Sequence, residues 1–138
     1  MDYFLQQFSL VMFLMDILVI ADYFFLIFHT LLILFNLFAW LWKPLQRWHF
    51  IVISLTFASW FILGIWYGWG YCPITDWHWD VLREKGVQDL PNSYITYLIQ
   101  RYFGADLSPD LVEYATVGFA FIALVASIKV NFFSKKKA

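Results

Sequence analysis

The chain reads as an all-α membrane protein: three transmembrane helices, an N-terminal apolar helix, and two short amphipathic helices in an outer loop. Three observations predict this. Hydrophobic residues make up 62% of the 138 positions and charged residues only 14%, against roughly half and a quarter in soluble domains. Three stretches, about 20–42, 50–69 and 111–132, each hold the roughly 20 mostly apolar residues that a bilayer crossing needs. Between the second and third lies a polar and aromatic segment, 71–110, that carries helix-cap signals. The whole is one membrane domain.

The opening segment "MDYFLQQFSLVMFLMDILVI" has an acidic start and no small-residue cleavage pattern, so it is read as retained. Its Asp2, Gln6, Ser9 and Asp16 fall within a stripe about 80° wide at helical spacing. The expectation is an interfacial or in-membrane helix over 1–20 that bends near Ala21; a fourth span is the alternative. After the first span, "KPLQRWH" makes a tight turn around Pro44. The second span ends at a tryptophan-rich corner, with Pro73 expected to stop it and Thr75 or Asp76 to cap the next helix. Trp66, Trp69, Trp77 and Trp79 sit where an aromatic belt belongs. "DWHWDVLREKG" has the length of a short helix closing at Gly86. "NSYITYLIQRYFG" repeats Ile95, Leu98, Ile99 and Tyr102 at helical spacing and closes at Gly104. Ser108-Pro109 is a cap and first turn for the third span.

Basic residues set the expected orientation. Lys43 and Arg47 lie in the short loop, and Lys129, Lys135, Lys136 and Lys137 near the C-terminus. In the long loop Arg83, Lys85 and Arg101 are outnumbered by Asp76, Asp80, Glu84, Asp89, Asp106 and Asp110. The positive-inside rule then places the N-terminus out and the C-terminus in, with the long loop outside. A net charge of −1 argues against a nucleic-acid partner, because phosphate binding needs a basic face. One cysteine makes no intramolecular disulfide and is too few for a cysteine-built metal centre.

Polar residues inside the spans are the candidate site. Asp22, His29 and Asn36 are seven apart, which keeps them on one helix face. Glu113, Thr116, Ala120, Ala123 and Ser127 answer at steps of three and four in the third span. Counting depth from the same side pairs Asp22 with Glu113, His29 with Ala120, and Asn36 with Ser127. The expected result is an intramembrane polar seam of Asp22, His29, Asn36, Glu113 and Ser127. Its two carboxylates repel unless Arg83, Lys85 or Arg101 neutralises them. Polar contacts that fix helix register are the first reading of the seam. A proton or ion relay through Asp22, His29 and Glu113 is the sharper one. No metal or cofactor is expected, since His29, His49 and His78 lie at three depths; single-ligand haem at His29 is the alternative.

In order along the chain, "FHTLLILF" with His29, "KPLQRWH" with His49, "GWGYCPIT" with Cys72, Pro73 and Thr75, and "SYITYL" at 93–98 carry a resemblance. The chain resembles a bacterial group of small membrane proteins known only as domain-of-unknown-function family 2784, over about residues 20–130. The resemblance implies the three-span architecture and a bacterial inner (cytoplasmic) membrane, and no activity. That family pattern has an acidic residue about three positions after the Cys-Pro element, where this chain has Trp77, His78 and Trp79. Two functional readings follow. One is a non-enzymatic accessory or assembly subunit, partnered by the lipid bilayer and by other membrane subunits. The other is a membrane enzyme or lipid-handling protein with an outer-leaflet site at Cys72, Asp76, His78 and Asp80.

Overall fold

The computed structural model describes residues 1–133. Of the described residues 84% are helical and none lies in a strand, so the class is all-α. Among the described residues three helices, Tyr3–Leu41, Lys43–Tyr67 and Pro109–Phe133, are long and apolar enough to cross a membrane. The expected basic cluster at Lys135, Lys136 and Lys137, and the side chain of Asp2 in the N-terminal stripe, lie outside the described residues.

Helix α1 runs unbroken over Asp2–Phe38. The helix passes Ala21 without a break, so residues 2–20 belong to the same helix as the first span. Kinks need Pro, Gly or an inserted group, and the first 42 residues contain neither Gly nor Pro. The turn after α1 consists of two 3-10 turns, Ala39–Leu41 and Lys43–Leu45, with Trp42 extended between them. Pro44 sits in the first positions of the second turn, where its missing N–H has no intrahelical partner to lose.

Helix α2 (Gln46–Ala58) continues through a π turn at Ser59–Leu63 into α3 (Gly64–Tyr67). Gly68, at φ 103°, ends it; that backbone conformation suits a residue without Cβ. The expected role of Pro73 is thus reversed. It opens α4 (Pro73–Glu84) rather than stopping the second span, and Thr75 and Asp76 lie inside the first turn of α4. Proline fits there because its fixed φ is already helical and its absent N–H is one of the orphans of a helix start.

Helix α5 (Tyr94–Phe103) closes on Gly104 in the left-handed region, and α6 (Pro109–Ile128) opens with Ser108 at the cap and Pro109 in its first turn. A second π turn, Lys129–Phe133, extends α6.

The chain divides into two compact units. The first combines Met1–Thr30 with Pro73–Leu90. From α1 it buries Asp22, Leu26 and His29, at steps of four and three on one face. From α4 it buries His78, Trp79 and Leu82. The second combines Leu31–Cys72 with the chain from Pro91 on. In it α2 packs on α6, where Ile53, Ala120 and Ala123 are buried. Small side chains on α6 let the partner backbone come close. Phe50 meets Phe132 edge-on at 5.2 Å, a preferred arrangement for two rings.

Candidate functional site

Among the described residues each unit holds a buried polar cluster. In the first, Asp22 of α1 is 2% exposed and His78 of α4 is fully buried. His78 Nε2 lies 2.9 Å from Asp22 Oδ1, and Lys85 Nζ lies 2.5 Å from Asp22 Oδ2. Both oxygens of one carboxylate are thus engaged by donors from one segment. His78 and Lys85 are seven residues apart, two helical turns, so both point to the same side of α4 and the turn that continues it. The N–H of Lys85 still bonds to the carbonyl of Val81, which carries helical geometry to that position. Phe25, three residues after Asp22, lays its ring over the imidazole at 5.7 Å and 20°.

The chemistry of the partners assigns the proton. An ionised carboxylate only accepts, so the imidazole donates Nε2–H to Asp22 while Lys85 supplies the compensating charge. Lys85 sets a positive charge against this carboxylate. Burying an unpaired carboxylate is costly and pairing offsets that cost. Taking away one partner of such a pair costs about 3–5 kcal/mol. Lys85 forms the open edge of the cluster, its side chain 20% exposed.

The second unit holds a different arrangement. His49 and Ser127 are both fully buried. His49 Nδ1 lies 2.9 Å from Ser127 Oγ and Nε2 lies 2.8 Å from the carbonyl of Asn36. A carbonyl only accepts, so Nε2 carries the hydrogen and Ser127 donates its hydroxyl to Nδ1. The Asn36 carbonyl is among the last four of α1, which have no α-helical donor. His49 therefore caps one helix while bonding to another. Asn36 Nδ2 donates to Thr56 Oγ1 at 3.0 Å. Asn131 Nδ2 donates to the carbonyls of Gln46 and Ser127 at 3.0 and 2.8 Å. The end of α1, α2 and α6 are tied together by these bonds.

The residues of the expected seam fall into place unevenly. Asp22 joins His78 and Lys85. His29 is buried at 6% exposure, seven residues along α1 from Asp22. Asn36 reaches Ser127 only through His49. On α6, Ala120, Ala123 and Ser127 form the buried face, whereas Glu113 is exposed. Of the outer-interface residues, Asp76 and Asp80 turn to Arg83, at 3.8 and 2.8 Å, on the exposed side of α4. His78 points to the opposite side of that helix, so these three do not converge. Cys72 is a half-buried free thiol. Among the described residues no three His, Cys, Asp or Glu side chains gather as a metal site.

Sequence reasoning named Lys85 only as one of three candidate neutralisers, and gave no role to Thr56 or Asn131. For Lys85 the signal was available: it stands one heptad after His78. For Thr56 and Asn131 the signal was a lone polar group within an apolar span.

The model of a family described as Protein of Unknown function (DUF2784) matches residues 19–132. The chain belongs to this family. No curated protein and no solved structure matches it. The DUF2784 region contains both clusters entire, from Asp22 to Asn131. The match leaves residues 1–18, which hold the start of α1, outside it.

Proposed function

We propose that this DUF2784 protein is a non-enzymatic accessory or assembly subunit of a larger membrane complex. We place it in a bacterial inner membrane, N-terminus out and C-terminus in. The observation that carries the reading is the length and surface of α1. The apolar helix Tyr3–Leu41 has 39 residues, which at 1.5 Å per residue is about 58 Å. The hydrocarbon layer is about 30 Å thick. Fitting the whole helix into it needs a tilt of about 60°, beyond the 0–40° that transmembrane helices adopt. At the upper limit of tilt roughly a dozen apolar residues remain outside the lipid. Every residue from Tyr3 to Ile17 is exposed, including Phe4, Phe8 and Phe13. Outside the polar stripe of Gln6, Ser9 and Asp16 this surface is apolar and needs lipid or protein against it, and a partner subunit supplies what the bilayer cannot reach. That this segment precedes the family match supports a partner contact added to a core that folds without it.

The test is purification in mild detergent of the full chain and of a form lacking residues 2–18, each tagged at the C-terminus. The full chain is expected to bring down another integral membrane protein in fixed stoichiometry. The shortened form is expected to keep its helical circular dichroism and lose that protein. A lone monodisperse monomer from the full chain overturns the reading. Equal capture by both forms overturns the role given to the N-terminal half of α1.

A further inference from the structure

We infer that the stripe of Gln6, Ser9 and Asp16 on α1 is the docking face for one apolar helix of another membrane protein, and that this helix carries a lysine or arginine against Asp16. This deepens the accessory-subunit reading, on which it rests, by naming the chemistry of the partner.

Between Leu10 and Ala21 Asp16 is the only charged residue, and every other side chain in the run is apolar. It is exposed, and among the described residues it has no ion pair and no hydrogen-bonded partner. A run of that kind is covered by lipid or by protein, and both are apolar surroundings. A carboxylate set alone in them is costly, and charges inside membranes pair with one another or face a bundle interior. The first unit offers Asp16 no such pairing. Asp22, Leu26 and His29 mark the buried face of α1. At about 100° per residue the stripe stands about 150° around the helix from that face. His78 and Lys85 therefore meet Asp22 on one side of α1 and leave Asp16 on the other.

The rhythm of the stripe is an independent argument for a helix as its occupant. Gln6, Ser9, Phe13 and Asp16 follow at steps of three, four and three, the spacing at which one helix presents a seam to another. All four are exposed. Ser9 is small enough for a close approach of backbones, and the Gln6 amide both donates and accepts across such a contact.

Charge selects which helix. Two copies of this chain inserted in the same sense are parallel, and a symmetric pair joined along the stripe sets Asp16 against Asp16. Like charges at one contact repel, so a second copy is disfavoured and a cation from another chain is complementary. The long stem of a lysine or arginine also lies along apolar surface while its head reaches the carboxylate.

The experiment uses the full chain in phosphatidylcholine vesicles, in a Cys72→Ser background, with a dye on Phe4→Cys. Phe4 is exposed and on the opposite side of α1 from the stripe. The probes are synthetic leucine–alanine helices of about 23 residues. The parent helix is uncharged, and each of the others has one lysine or one glutamate at a different depth. Energy transfer to a dye on the probe reads association. The best-placed lysine helix is expected to bind about tenfold more tightly than the parent, and the glutamate helices no more tightly than the parent. Asp16→Asn and Asp16→Leu should each remove the gain and Asp16→Glu keep it, with circular dichroism checking the fold of every variant. No gain from lysine at any depth overturns the inference, as does a gain that survives Asp16→Asn. Association of the chain with itself that is lost in Ser9→Leu assigns the stripe to a second copy and also overturns it. Capture from native membranes separates the two readings. A subunit brought down equally by the Asp16→Asn chain overturns this inference and leaves the accessory role, whereas no captured subunit overturns both.

Discussion

His49 shows what one side chain does when both its ring nitrogens are engaged. It gives a hydrogen to a terminal carbonyl of α1 and takes one from Ser127 of α6, with the imidazole and the serine both fully buried. Net, each such bond is worth about 0.5–1.5 kcal/mol, whereas stranding a buried partner costs about 1–3 kcal/mol. His49→Leu strands two groups and is expected to destabilise the protein by about 2–4 kcal/mol. Ser127→Ala leaves the Nε2 bond to Asn36 and is expected to cost about half as much. Denaturation of the detergent-solubilised protein, followed by circular dichroism, checks the order. Equal losses would remove the argument that His49 serves two helices. In the sequence His49 was only a landmark at the end of a basic turn. Nothing local indicates that its ring meets a serine 78 positions away.

At the scale of elements, the helix ends written in local chemistry were legible. Gly104 closes α5 and Ser108-Pro109 opens α6, because a left-handed residue and an N-terminal proline need no distant partner. Two junctions were not legible. A run without Gly or Pro is compatible with one long helix or two, and α1 is one. The corner at 68–73 offers two glycines and a proline, and proline both ends and begins helices. Its place at the start of α4 makes a sharp prediction: Pro73→Ala changes stability by less than about 0.5 kcal/mol, as a surface-type substitution does. Gly68→Val, at φ 103°, costs roughly 1–2 kcal/mol. Thermal unfolding midpoints in one detergent separate the two. A larger loss from the proline substitution contradicts its assignment to a helix start.

For the whole molecule the governing quantity is apolar surface. Among the described residues, three helices long and apolar enough for a membrane were visible as hydrophobic runs; the second and third differ from the expected extents only at the ends, whereas the first also takes in the N-terminal segment. The proposed orientation predicts labelling from one side only. In a Cys72→Ser background, Gln88→Cys in the long loop should react with an impermeant thiol reagent added to right-side-out vesicles. Arg47→Cys in the first turn of α2 should react only after the bilayer is opened. The reverse pattern inverts the topology. Both positions are exposed on the protein, so the membrane alone decides the outcome.

By itself the sequence determined the class, the three apolar helices, the two amphipathic ones and the family, because hydropathy and helix ends are local properties of the chain. It also marked Asp22, His29, Asn36, His78 and Ser127 as costly residues in apolar or aromatic surroundings. What it left open was their pairing. Asp22 was assigned by depth to a seam with Glu113, whereas the structure holds it on His78 and Lys85, 56 and 63 positions away. Depth along two parallel helices is one coordinate, and a hydrogen bond needs three. Only the tertiary structure decided which buried charge meets which donor, since that depends on the face each helix turns inward.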